Sequence, residues 1–316
     1  MRVHQAVAAL RRDPSSQRRS RAHMEAALGR WLEVEREVGT ALQTYDQSGD
    51  LRDGGALREL MGNAARAREF VDRYIALMAQ AQREEPLGEM ATRHSSSAGF
   101  ARMQLMQSGG SVLSLCVYEP VADPRPAPTT RFVDCSLHEM IVAGSVRGRF
   151  HQLEGESASI TTRDEHWRAG SAICCKALCE AREFVEVQQS VLALQLSRTP
   201  MRAKASREYR LDDALLVQQV SGDKHASEHV MALGVLGALK DREAIAGMEG
   251  FACNRGNDPD ARWEAVRQTL AMDTARGLEL LTRFSGDDPL ARPAQELRAH
   301  LIASHPAIRE RVSEDG

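Results

Sequence analysis

The sequence predicts an α+β chain in three parts: an N-terminal helical hairpin, a central antiparallel β-sandwich or barrel, and a C-terminal α-helical repeat segment. Three observations lead there. Apolar residues recur in steps of three and four from roughly residue 18 to 84, and short β-like runs alternate with turn residues from 111 to about 220. Two near-copies of one pattern, DPDARWEAVRQTL at 258–270 and DPLARPAQELRAHL at 288–301, close the chain. The expected segmentation is 1–84 for the hairpin with a basic N-terminal arm, 85–110 for a linker, 111–222 for the β module and 223–316 for the helical repeats.

Within the hairpin, Met24, Leu28, Trp31, Val38, Leu42 and Tyr45 follow helical spacing, with Glu35 in one apolar slot. After the turn signal DQSGDLRDGG (46–55), the residues Leu57, Leu60, Ala64, Ala67, Val71, Tyr74 and Met78 keep the same spacing. Two such segments joined by a glycine-rich loop make an antiparallel pair. Asp46, Ser48 and Asp50 alternate as in a calcium loop, but Leu51 replaces the sharp-turn glycine and Leu57 the bidentate glutamate, so a plain turn is expected. The seam, with Trp31 and several alanines, fits either packing against the rest of the chain or a dimerisation arm. Residues 85–110, rich in Ser and Gly, read as the linker.

The β module is read as eight or nine short strands, from SVLSLCVY to ALLVQQV. Leu192, Leu194 and Leu196 alternate as a half-buried strand requires. The segment EPVADPRPAP (119–128) has four prolines and is expected as an extended surface loop. The stretch RDEHWRAGSAICC (163–175), a small-residue turn before a buried strand, resembles the corresponding turn of cupin-type jelly rolls. That resemblance spans about a hundred residues and implies a β-barrel, but the HxH pair of the metal-binding cupins is missing. His138, Glu139, His151 and His166 are the candidate metal ligands, since imidazoles suit zinc, iron or copper. Their spacings match no ligand signature, so histidines lying separately on strand edges or faces are the expectation, with no cofactor.

Other chemistries have less support. Ser145 in GSVRG lacks nucleophile-elbow spacing, and no phosphate-cradling glycine motif follows a strand. Cys174 and Cys175, being adjacent, point to opposite strand faces, and with Cys179 read as buried small hydrophobes rather than a soft-metal cluster.

In the C-terminal part, helical spacing runs through 224–241, 242–253, 258–272, 273–284 and 288–305. Asp241 and Asp273 are placed to end one helix and cap the next. With Asp258-Pro259, Arg262 and Asp273 in one unit and Asp288-Pro289 and Arg292 in the next, this stretch resembles HEAT-type repeats. Pro293 stands where the first unit has Trp263. The resemblance implies an interaction surface, with Arg262, Trp263 and Arg292 as candidate partner-binding residues. Trp263 is expected either as a core anchor or as an exposed hot spot.

Composition narrows the function. At 316 residues the chain exceeds what one hydrophobic core organises. No apolar run approaches the roughly 18–20 residues needed to span a bilayer, and the start MRVHQAVAALRR is a poor export signal. Six cysteines without a CxxC pair point to a reducing, cytoplasmic setting. A net charge of −3 gives no general reason for a nucleic-acid partner. The exception is Arg11, Arg12, Arg18, Arg19 and Arg21, a cluster able to meet phosphates or anionic lipid heads, or simply a solvated terminus. The leading expectation is a non-catalytic cytoplasmic regulator or adaptor that binds a protein partner, a second copy or a small ligand. A metal-dependent cupin-like enzyme is the alternative, and nucleic-acid or membrane-surface binding through the arginines comes third.

Overall fold

The computed structural model describes residues 14–86, 88–122, 125–155 and 159–305. The chain divides into two compact units, with the boundary between Gln219 and Val220.

Among the described residues the first unit begins with four helices: α1 (Pro14–Val34), α2 (Arg36–Ser48), α3 (Ala56–Gly62) and α4 (Ala64–Glu84). Each arm of the expected hairpin is therefore interrupted once. The first breaks at Glu35, whose buried carboxylate accepts from Arg66 Nη2 at 2.6 Å and Arg73 Nη1 at 2.8 Å on α4. The second breaks at Asn63, whose side-chain oxygen caps α4 by accepting from the Ala65 and Arg66 amides. This break leaves Ala64 exposed and brings Phe70 into the core. The 46–55 segment is a turn: Gly49 ends α2 at φ +72°, and Asp50 caps a 3-10 turn (Leu51–Asp53) while pairing with Arg52.

Twelve strands follow: β1 (His94–Ser97), β2 (Phe100–Ser108), β3 (Ser111–Tyr118), β4 (Thr129–Phe132), β5 (Ser136–Ala143), β6 (Ser145–Glu154), β7 (Ser159–Arg168), β8 (Ala172–Cys175), β9 (Glu180–Val187), β10 (Val191–Arg198), β11 (Ser206–Arg210) and β12 (Leu216–Val220). They form a six-stranded sheet ordered β1-β2-β3-β10-β5-β8 and two three-stranded sheets, β7-β6-β9 and β12-β11-β4. The 85–110 stretch is thus not a bare linker, because β1 and β2 lie within it and pair with each other and with β3. β1 reads as linker in sequence because its four residues, HSSS, are all exposed on a sheet edge. In β2 a register shift between Gln104 and Met106 breaks the alternation.

The central strands of the six-stranded sheet, β3, β5 and β10, are buried on both faces. Leu113, Leu115, Met140, Val142, Leu194 and Leu196 join Trp31, Tyr45, Phe70 and Tyr74 in the core beneath the helices. The alternate residues Ile141, Val191 and Ala193 pack with Val146, Phe150 and Trp167 of the β7-β6-β9 sheet to form the barrel interior. β10 is accordingly buried on two faces rather than one, and the helices have their partner within the chain, so the seam needs no dimer to cover it.

The second unit holds α5 (Lys224–Leu239), α6 (Ile245–Cys253), α7 (Pro259–Met272), α8 (Thr274–Thr282) and α9 (Ala291–Ser304). Asp258 caps α7, with Pro259 in its first turn, and Asp273 both ends α7 and caps α8. Asp241 caps a 3-10 turn (Arg242–Ala244) instead of a full helix. Asp288 departs further from expectation. α9 begins only at Ala291, and the Asp288 carboxylate accepts from the Leu290 amide and from Arg262.

Candidate functional site

The barrel interior contains one dense polar cluster. β5 alternates so that Met140 and Val142 face the helices while Glu139 and Ile141 face inward. Glu139 is 1 % exposed and accepts four hydrogen bonds from three side chains. Arg182 on β9 donates from Nε to Oε2 at 2.5 Å and from Nη2 to Oε1 at 2.6 Å. Gln195 on β10 donates to Oε1 at 2.8 Å, and the Tyr118 hydroxyl on β3 donates to the same oxygen at 3.2 Å. Arg182 Nη2 also donates to Tyr118 Oη at 2.7 Å. The guanidinium lies over the Phe184 ring at 4.0 Å and near Tyr118 at 5.3 Å, and its side chain is 14 % exposed.

Burial, the largest influence, opposes ionisation of Glu139, but the Arg182 charge and the hydrogen bonds outweigh it and hold the carboxyl below its ordinary range. Burial likewise works against the charged guanidinium, and Glu139 overcomes it, raising Arg182 above its ordinary value. Burial pushes the Tyr118 hydroxyl up, and it pushes the neighbouring Cys116 and Cys175 thiols up to about 12. A carboxylate so neutralised and bonded is a poor base, and these thiols stay protonated at neutral pH.

The four candidate metal ligands are not brought together, and no group of three or more His, Cys, Asp or Glu side chains suited to a metal occurs among the described residues. His138 lies on the helix-facing side of β5, edge-on to Tyr45 at 6.2 Å, while Glu139 faces inward. His166 is exposed on β7. His151 is 1 % exposed, and its Nδ1 lies 2.9 Å from Thr162 Oγ1. Its Nε2 stands 3.9 Å from Glu183 Oε2, too far for a hydrogen bond, so both buried atoms lack a partner. The other Glu183 oxygen accepts from the Ala127 amide at 2.6 Å, which ties the 119–128 loop to β9. Burial lowers the pKa of both His138 and His151.

Of the thiols read as buried hydrophobes, Cys175 is buried and Cys174 exposed, because the β8 pleat turns adjacent residues to opposite faces, and Cys179, in the turn before β9, is intermediate. Arg11 and Arg12 lie outside the described residues. Arg18, Arg19 and Arg21 are exposed on α1, where Arg19 donates to Ser15 and Arg21 pairs with Glu25 at 2.7 Å.

Arg262 is corrected from surface contact to internal strut. It is 2 % exposed, donates to the Ala252 carbonyl at 2.7 Å and to Asp288 at 2.6 Å, and lies beside the Phe284 ring. Trp263 is half-buried against the C-terminal core, and Arg292 is exposed in an i,i+4 pair with Glu296. The exposed apolar surface of this unit is on α5, where Met231, Val235 and Leu239 stand at four-residue intervals, each more than half exposed.

Sequence reading singled out Glu139 but missed Arg182, Tyr118 and Gln195. The available signal was polar residues inside apolar runs: Gln195 in VLALQL and Glu139 in LHEMIV.

No protein-family model matches the sequence, and no curated protein matches it. Among solved structures it is similar over about a third of its length to several β folds. The Drosophila melanogaster CENP-C cupin domain aligns with 33 % of this chain and 74 % of its own, at 10 % identity and a TM-score of 0.27. KdgF from Halomonas sp. aligns with 34 % of this chain and 88 % of its own, at 11 % identity and a TM-score of 0.25. A putative mannose-6-phosphate isomerase from Ralstonia eutropha aligns with 33 % of this chain and 89 % of its own, at 17 % identity and a TM-score of 0.26. The chain is α+β, with N-terminal helices, central antiparallel sheets whose structural neighbours include a cupin domain, and C-terminal helices. No helix among the described residues is long and apolar enough to cross a membrane.

Proposed function

We propose that this chain is a non-catalytic adaptor that binds a protein partner, with the β module serving as a rigid platform. The observation that carries the reading is the Glu139–Arg182 pair. The carboxylate in the barrel interior has both oxygens bound by donors, so Glu139 is not free to act as a base or nucleophile. A partner surface is supported by α5, whose solvent side beyond Glu228 carries Met231, Ala232, Val235, Ala238 and Leu239. The C-terminal helices are read as the short repeat-like array that the HEAT-type resemblance implies, presenting α5 to an apolar surface on the partner.

The test is recovery of a stoichiometric partner with the full chain from its native source, compared with the Val235→Glu variant. A charge on the exposed side of α5 should abolish recovery without lowering the melting temperature. Unchanged recovery by Val235→Glu would overturn the assignment to this helix. Turnover of a small substrate by the purified chain, lost in a folded Glu139→Gln variant, would overturn the non-catalytic reading.

A further inference from the structure

Sheet edges expose unpaired backbone N–H and C=O groups, and folded chains protect them with charge, proline or short length. The three sheets present six edges among the described residues: β1, β8, β4, β12, β7 and β9. Five are protected. β1, β8 and β4 are four residues long, and β4 carries Arg131. β7 carries Arg163, Asp164, Glu165 and Arg168, and β9 carries Glu180, Arg182, Glu183 and Glu186.

β12 differs from all of these. Its sequence is LVQQV, and its five residues, with Leu215 before them, are exposed. It has β11 on one side only. Residues 214–222 contain no charge and no proline. The nearest upstream acid, Asp213, is turned onto Arg210, and the nearest downstream acid, Asp223, caps α5.

We propose that β12 pairs antiparallel with β12 of a second copy of this chain, with the two-fold axis at Gln218. A two-fold operator sets residue i against j and j against i, and only the residue on the axis against itself, so a charge on the axis would oppose its like and a neutral residue does not. In this register Leu216 meets Val220, Val217 meets Gln219, and Gln218 meets Gln218. Apolar side chains lie against apolar ones at the ends. The central carboxamides each donate and accept, so they satisfy one another. Pairing joins two three-stranded sheets into one of six strands and covers Leu216, Val217 and Val220, which are otherwise in water. The second copy is favoured over another extended peptide because the neutral strand is complementary to itself in both side-chain pattern and charge. This surface is distinct from α5, so its failure leaves the adaptor reading standing.

The experiment is sedimentation of the full chain over a wide concentration range, with Gln218→Lys and Gln218→Glu variants alone and mixed. The wild type should show a monomer–dimer equilibrium. Each variant alone should self-associate at least roughly tenfold more weakly, since like charges then meet on the axis. The equimolar mixture should dimerise again, because lysine then opposes glutamate, a recovery that misfolded variants would not give. A wild type that stays monomeric throughout would overturn the proposal. So would variants that dimerise as well as wild type, or a mixture that fails to recover.

Discussion

At the residue scale, Glu35 and Glu139 show the same solution reached in different places. Each is a carboxylate at 1 % exposure, and each is bound by arginine from an element distant in sequence. A buried charge is tolerated when it is paired and fully hydrogen-bonded. The sequence marks the acids, because both interrupt an apolar pattern, but not the arginines, which lie 31 and 38 residues away for Glu35 and 43 for Glu139. The histidines give a pH prediction. Burial lowers His138 and His151, so between their folded and ordinary values the unfolded chain binds more protons and is favoured. Thermal stability should therefore fall as pH drops below about 6.5, and a His138→Gln/His151→Gln variant should flatten that fall. Glu139, lowered in the fold, adds a second loss at more acid pH, as its carboxyl protonates, and this loss should persist in the variant. Melting temperature against pH for both proteins checks each part.

At the element scale, helices were legible and their interruptions were not. Three-four spacing marks α1 to α4, but whether a helix breaks at Glu35 or Asn63 depends on a tertiary ion pair and on a cap that competes with continuation. Strands β3 and β10 were legible because apolar alternation is strong there. β1 was hidden because edge residues face water. The C-terminal pattern located α7 correctly but misread Asp288, which bonds Arg262 rather than opening a helix directly. Trp263, half-buried, should contribute less than the enclosed Trp31, whose ring meets Phe70 and Tyr74 at 5.0 Å each. Trp31→Ala should cost about 3–5 kcal/mol, and Trp263→Ala about 1–2 kcal/mol. Urea unfolding of the two variants gives the comparison, and a Trp263 loss equal to that of Trp31 would place it wholly in the core.

At the scale of the whole molecule, the α+β order of parts was legible, since each part has its own hydrophobic period. The polar centre of the barrel was not, because it is assembled from β3, β5, β9 and β10, and strand order is not written in local pattern. On the adaptor reading that centre is structural. Residues held for chemistry commonly reduce stability, so their replacement leaves a fold as stable or more so. Structural ion pairs behave oppositely, since removing one partner strands the other charge. The direct test is chemical denaturation of Glu139→Gln, Arg182→Met and the double variant. Each single change should lower stability by about 3–5 kcal/mol, and the double change by clearly less than the sum. Single variants as stable as the wild type would contradict the account and return Glu139 and Arg182 to the candidates for catalysis.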